Sequence, residues 1–174
     1  MRNRMGLILP VLLCLATATL KGQGNSRGLT ELYAYVHHTD SLLDRSEKTF
    51  YLEKFLKDDY NYRETWHYLT NGDKVVYFEI VYIIDSIEFS EVYYLKRGNL
   101  VCAEEYEKIT YSYFEDKLKY GGIYYFESSM PSHIVTLGKR SDPIDFINPE
   151  DLALSRFEKR YAELKMHLPM LLPY

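Results

Sequence analysis

Carboxylates and tyrosines are the residues of this chain best placed to do chemistry. Glu104, Glu105 and Glu107 lie close together, Glu79, Glu91 and Glu127 flank them, and Tyr94, Tyr106, Tyr111 and Tyr125 are interleaved with the acids. Two carboxyl groups held at a set separation across a cleft can cleave a glycosidic bond. The same groups on an open sheet face, among rings that bury area while keeping a wet hydroxyl, form an acidic and aromatic binding platform. Spacing along a sequence does not set a separation across a cleft, so the expectation is binding, with Tyr94, Tyr106, Tyr125, Glu105 and Glu127 as contact residues.

The remaining candidates have simpler readings. Ser128, Ser129 and His133 are near neighbours, but no G-x-S-x-G elbow frames either serine and no acid is placed to orient the histidine. His37 and His38 are adjacent, so on a helix they point about 100° apart and cannot share a metal. The acidic stretch 58–64, Asp-Asp-Tyr-Asn-Tyr-Arg-Glu, lacks the glycine and distal glutamate of a calcium loop and reads as a solvated turn. Cys102 sits in a strand with Leu100 expected on the same face, as a small buried hydrophobe. No Cys/His set has structural spacing, so neither metal nor cofactor is expected.

Positioning these residues requires a sheet. Past Arg63 the apolar period becomes two, and six consecutive strands with short connections read as an antiparallel meander. Asn71-Gly72 marks a hairpin, residues 74–84 and 87–96 form long strands, and Arg97-Gly98-Asn99 turns the chain again. Within 74–84 both faces are largely apolar, as expected for a central strand. Gly121-Gly122 inside a later strand predicts a bulge or bend and so a curved sheet. Residues 30–45 read as an amphipathic helix through Leu29, Leu32, Tyr33, Val36 and Leu43, whereas residues 49–62 fit either a strand or a short helix. The last helix opens at Asn148-Pro149, carries Leu154, Phe157, Tyr161, Leu164 and Leu168 along one face with Arg160 elsewhere, and is expected to stop at Pro169. The fold class is α+β: a curved antiparallel meander of about six strands, with an N-terminal and a C-terminal helix packed on one face.

Residues 1–18 place Arg2 and Arg4 before an apolar run that ends at Ala16-Thr17-Ala18, the order of a cleavable export signal. Pro10 and the threonines interrupt the run, so no stable membrane span is expected after cleavage, and residues 19–174 form a single α+β domain. Losing Arg2 and Arg4 takes the formal balance further from the −4 of the whole chain, and such a surface repels nucleic acid. With Cys14 in the signal, Cys102 has no internal disulfide partner. The stretch Tyr93-Tyr94-Leu95-Lys96-Arg97-Gly98-Asn99-Leu100-Val101, with the signal and the hairpins over residues 64–140, resembles small uncharacterised exported proteins of Gram-negative bacteria. That resemblance implies a secreted or periplasmic location and transfers no catalytic residue. The expected function is non-enzymatic binding of an extracytoplasmic protein or glycan. A hydrolase using the sheet carboxylates, with His133, is the runner-up, and a structural subunit of an envelope assembly is a third reading.

Overall fold

The computed structural model describes residues 26–55, 61–110, 117–128, 130–141 and 149–171. The expected export signal lies outside these residues, as do Asp58-Asp59, Tyr111, Ser129 and Asn148. Helix α1 (Ser26–Ser46) leads into seven strands, β1 (Lys48–Phe55), β2 (Asn61–Asn71), β3 (Lys74–Ile84), β4 (Ile87–Lys96), β5 (Asn99–Ile109), β6 (Lys117–Glu127) and β7 (Met130–Gly138), and helix α2 (Pro149–Leu171) follows. The strands lie in chain order in one antiparallel, curved and open sheet. The seventh strand is β1, whose Phe50 and Leu52 fitted either period; pairing with β2 from Lys48↔Tyr68 to Phe55↔Asn61 decides for a strand.

Turn chemistry follows the left-handed positions. Asn71 pairs with Lys74, so the two-residue loop is Gly72-Asp73, one residue beyond the expected Asn71-Gly72; Gly72 supplies a φ of 63°. At Arg97-Gly98 both residues take positive φ, 57° and 84°, as a type I′ hairpin requires. The ladders shift register at Leu69/Thr70, Tyr94/Leu95, Glu107/Lys108 and Tyr125/Phe126. Such irregularities bend a sheet. Gly121 and Gly122 are not among them: both pair in regular register with Tyr106 and Glu105. Gly122 is needed for room. A Cβ there would lie 2.7 Å from the Tyr120 hydroxyl and 2.6 Å from that of Tyr124, two groups that hydrogen-bond to each other across the glycine.

The helices cover opposite faces, not one. Tyr93 and Tyr94 are neighbours on β4 and therefore point to opposite sides. Tyr93 packs on Phe157 of α2 with ring centroids 5.6 Å apart, while Tyr94 donates its hydroxyl to Asp40 of α1 at 2.8 Å. The reason lies in the strands: with both faces of β3 largely apolar, one helix could dehydrate only half of the sheet. Under α2 lies a core of Phe50, Trp66, Phe78, Ile80, Tyr93, Leu95, Tyr124 and Phe126 that receives Phe157 and Leu164. Under α1 lies a second core of Leu69, Tyr77, Val92, Tyr94, Cys102 and Tyr125 that receives Leu32 and Val36. Leu100 and Cys102 fall in different cores because the register shift beside Leu95 reverses the alternation. Helix α2 runs two residues past Pro169; so near its end the proline removes a single intrahelical donor. Among the described residues, no helix is long and apolar enough to cross a membrane.

Candidate functional site

On the α2 face four glutamates interrupt the aromatic core: Glu64 on β2, Glu91 on β4, and Glu105 and Glu107 on β5, all buried. Glu91 and Glu105 are direct cross-strand partners, a like-charge juxtaposition that destabilises a sheet unless neutralised. Helix α2 neutralises it with two arginines one turn apart. Arg160 forks onto Glu91 through Nε and Nη2, both at 3.1 Å, and reaches Glu64 with Nη1 at 2.8 Å. Its guanidinium also lies 5.8 Å from the ring centroids of Trp66 and Tyr82, where the π faces favour a cation. Arg156 reaches Glu105 at 3.3 Å, and Arg140, just beyond β7, reaches the other oxygen at 2.6 Å. Glu107 accepts the backbone N–H of Ser141 at 2.8 Å, and Glu64 accepts the Trp66 indole N–H at 3.0 Å. Hydroxyls of Tyr82 and Tyr93 complete the shell of Glu91 at 3.0 and 2.9 Å.

This arrangement sets the charge states. Burial opposes ionisation of Glu91, but the charge and paired hydrogen bonds of Arg160 prevail and hold the carboxyl below its ordinary range. At Glu105 burial outweighs Arg140 and Arg156, and the carboxyl rises. Tyr82 and Tyr93 are pushed up by burial and by the Glu91 charge, so both remain hydroxyl donors. A cavity lined by Glu91, Glu105, Tyr120 and Arg140 is the size of about one water molecule. A sugar ring does not fit there.

The α1 face has a different chemistry. Glu104 accepts the Tyr106 hydroxyl at 2.8 Å, and Glu79 accepts those of Tyr77 and Ser90 at 3.2 and 3.1 Å. Burial, together with the negative charges of Asp40 and Glu79 and against the Tyr106 hydrogen bond, pushes Glu104 up from 4.5 to about 7. Tyr94 and Tyr125, expected on an open platform, are each only 4 % exposed. They lie beneath α1, Tyr125 edge-on to Tyr33 at 4.8 Å. Glu105 is on the other face, and Glu127 is half-buried beside Gly28 of α1. The five residues are therefore not one surface. Tyr106 is half-buried, its hydroxyl drawn to Glu104 and pushed up by burial, and stands in the cross-strand row Tyr51, Thr65, Val81, Ser90, Tyr106, Gly121 and Leu137. The side chains of this row are exposed or half-buried, and Ile83, farther out on the same face, is exposed.

His37 and His38 are exposed on α1. His133 is tilted over Tyr125 at 6.3 Å, and Ser128 occupies an exposed turn. Cys102 is a buried free thiol, pushed up by burial. Asn61 to Glu64 belong to β2 rather than to a solvated turn, and Glu64 is fully buried. Among the described residues no cluster of three or more His, Cys, Asp or Glu could hold a metal ion. Glu64, Arg140, Arg156 and Arg160 were not expected in any site. Arg160 is only about 60° around the helix from Phe157, at the flank of the apolar stripe, and Glu64 alternates with Trp66 and Tyr68. Those two positions were the available signals.

No family model, curated protein or solved structure matches this chain.

Proposed function

We propose that the chain is an exported, non-enzymatic binding domain whose contact surface is the strip of sheet beyond α1, centred on Tyr106 and flanked by Tyr51, Val81 and Ile83. The observation that carries this reading is the contrast between the two faces. On the α2 side Glu64, Glu91 and Glu105 are bound to arginines and Glu107 to Ser141, with space for about one water beside them, whereas the side chains of the Tyr106 row are exposed or half-buried. Tyrosine presents a rigid ring with few rotors to immobilise, so it contributes binding energy at little entropic cost. The expected partner is an extracytoplasmic protein or glycan.

Two measurements test it. N-terminal sequencing of exported material should begin at or shortly after residue 19; recovery of Met1 refutes export by cleavage. The purified domain is then used to capture partners from its envelope fraction and to probe a glycan array. A specific partner should be lost with Tyr51→Ala and with Ile83→Lys, both exposed positions, while both variants keep their thermal transition. Retention of every captured species by both variants refutes the surface. Tyr94→Ala and Tyr125→Ala do not serve here, because both rings are core and their loss lowers stability first.

A further inference from the structure

The sheet is open, and its two edges are built differently. The outer strand β1 carries Lys48, Glu53 and Lys54; Glu53 is bridged to Arg63 at 2.6 Å, and Lys54 bonds Glu163 of α2. Such charges protect an edge from pairing. The other outer strand, β7, has the sequence Met-Pro-Ser-His-Ile-Val-Thr-Leu-Gly, without an Asp, Glu, Lys or Arg. Met130, Ile134 and Leu137 are 69 %, 39 % and 63 % exposed. Among the described residues, no strand pairs with its outer side.

We propose that β7 is a self-pairing edge, and that two copies of this chain join through antiparallel β7 strands about a two-fold axis at Ile134. The occupant is a second copy because the strip reads alike in both directions. With Ile134 opposite Ile134, Ser132 meets Thr136 and His133 meets Val135, so hydroxyl faces hydroxyl and apolar faces apolar or imidazole. These are favourable cross-strand pairings, and no formal like charges of acidic, lysine or arginine side chains oppose each other. The register with β6 is regular from Tyr125↔His133 to Tyr120↔Gly138, and Ser132 is the extra residue of the shift that bounds this segment. Pro131 on one side lacks an N–H donor, and Lys139 and Arg140 follow on the other, which confines the pairing to a short segment. A two-fold contact is closed, so it yields a dimer rather than a fibre. A strip this short falls below the ~1,200 Å² of a stable interface, so a weak, concentration-dependent association is expected.

The test is sedimentation of the purified full domain from about 1 µM to 1 mM, a range that brackets a weak interface of this kind. A reversible monomer–dimer equilibrium is expected. Ile134→Lys sets two ammonium groups against each other at the axis and should leave a monomer with an unchanged thermal transition at low concentration. Opposed residues of an antiparallel pair lie about 4.5–5.5 Å apart at Cα, within disulfide reach. Ile134→Cys should therefore form a cross-linked dimer on oxidation, while Tyr51→Cys, on the charged edge, should not. A parent protein that is monomeric throughout, a dimer that survives Ile134→Lys, or cross-linking equal at the two cysteine positions overturns the proposal.

Discussion

Replacing Arg160 by methionine keeps the length of the side chain and removes its charge. In the folded protein that leaves Glu91 buried with the Tyr82 and Tyr93 hydroxyls and the more distant charge of Arg156, and leaves Glu64 with the Trp66 indole and Lys54 at 3.8 Å. Glu104 indicates the consequence: a buried carboxyl whose charged neighbours are Asp40 and Glu79 stands at about 7 instead of 4.5, a gap of about 3 kcal/mol. Glu91 in the variant should move the same way from a lower starting point, so the cost at pH 7.5 is about 3–5 kcal/mol, the range for breaking a buried pair from one side. In a protein of this size that is roughly 6–20 °C in Tm. Urea denaturation at pH 7.5 and pH 5 measures it. At pH 5 the parent's Glu91 is still ionised, whereas the raised carboxyl of the variant takes up a proton and is no longer a buried charge, so the cost should shrink at pH 5. Glu91→Gln in the Arg160→Met background should recover at least part of the loss. A cost below about 1 kcal/mol, well under the buried-pair range, or no rescue by glutamine, would refute the account of α2 as an electrostatic clamp.

Glu104→Gln should stabilise the domain by up to about 3 kcal/mol at pH 8 and flatten the fall in stability that the parent shows as pH rises from 4.5 towards 7; pH-dependent melting curves check both. Phe157→Ala and Leu164→Ala, which empty the α2 side of the core, should each cost about 2–5 kcal/mol by urea denaturation. Gly122→Ala should destabilise by driving a methyl group into the Tyr120 and Tyr124 hydroxyls, and Tyr124→Phe, which withdraws one of them, should recover part of that loss in Tm.

What was legible in the sequence was local. The bounds of β3 and β4 follow from period two and from turns whose residues tolerate positive φ, and the stripe from Leu154 to Leu168 follows from 3.6-residue spacing. Shifts of register were not legible. The extra residue near Val101 puts Leu100 and Cys102 on different faces, although simple alternation would join them. The opposite placement of the helices was present in the two apolar faces of residues 74–84, but it follows only when each face is required to find its own cover. The clamp was least accessible, since Arg160 and Glu64 are 96 residues apart and neither residue alone announces a partner. An arginine at the flank of an apolar stripe and a glutamate alternating with Trp66 become informative only as a pair.

Glu104 on the α1 face and Glu91 on the α2 face respond to acid in opposite senses. On the α1 side Glu104 has a raised pKa, so its contribution to stability is fully present below 4.5 and is lost as pH rises through about 7. Glu105, raised by burial despite two arginines, acts in the same sense. Glu91 acts in the other: its depressed carboxyl adds stability above 4.5, and that is lost as pH falls through its folded value. Mild acidification from neutrality therefore strengthens the sheet under α1 while Glu91 is still ionised against Arg160, and stronger acidification releases that pair. Together Glu104 and Glu91 favour the fold most at mildly acidic pH. Two glutamates on adjacent strands, Glu91 and Glu104, respond in opposite senses because the helix over one supplies Arg160 and the helix over the other supplies Asp40.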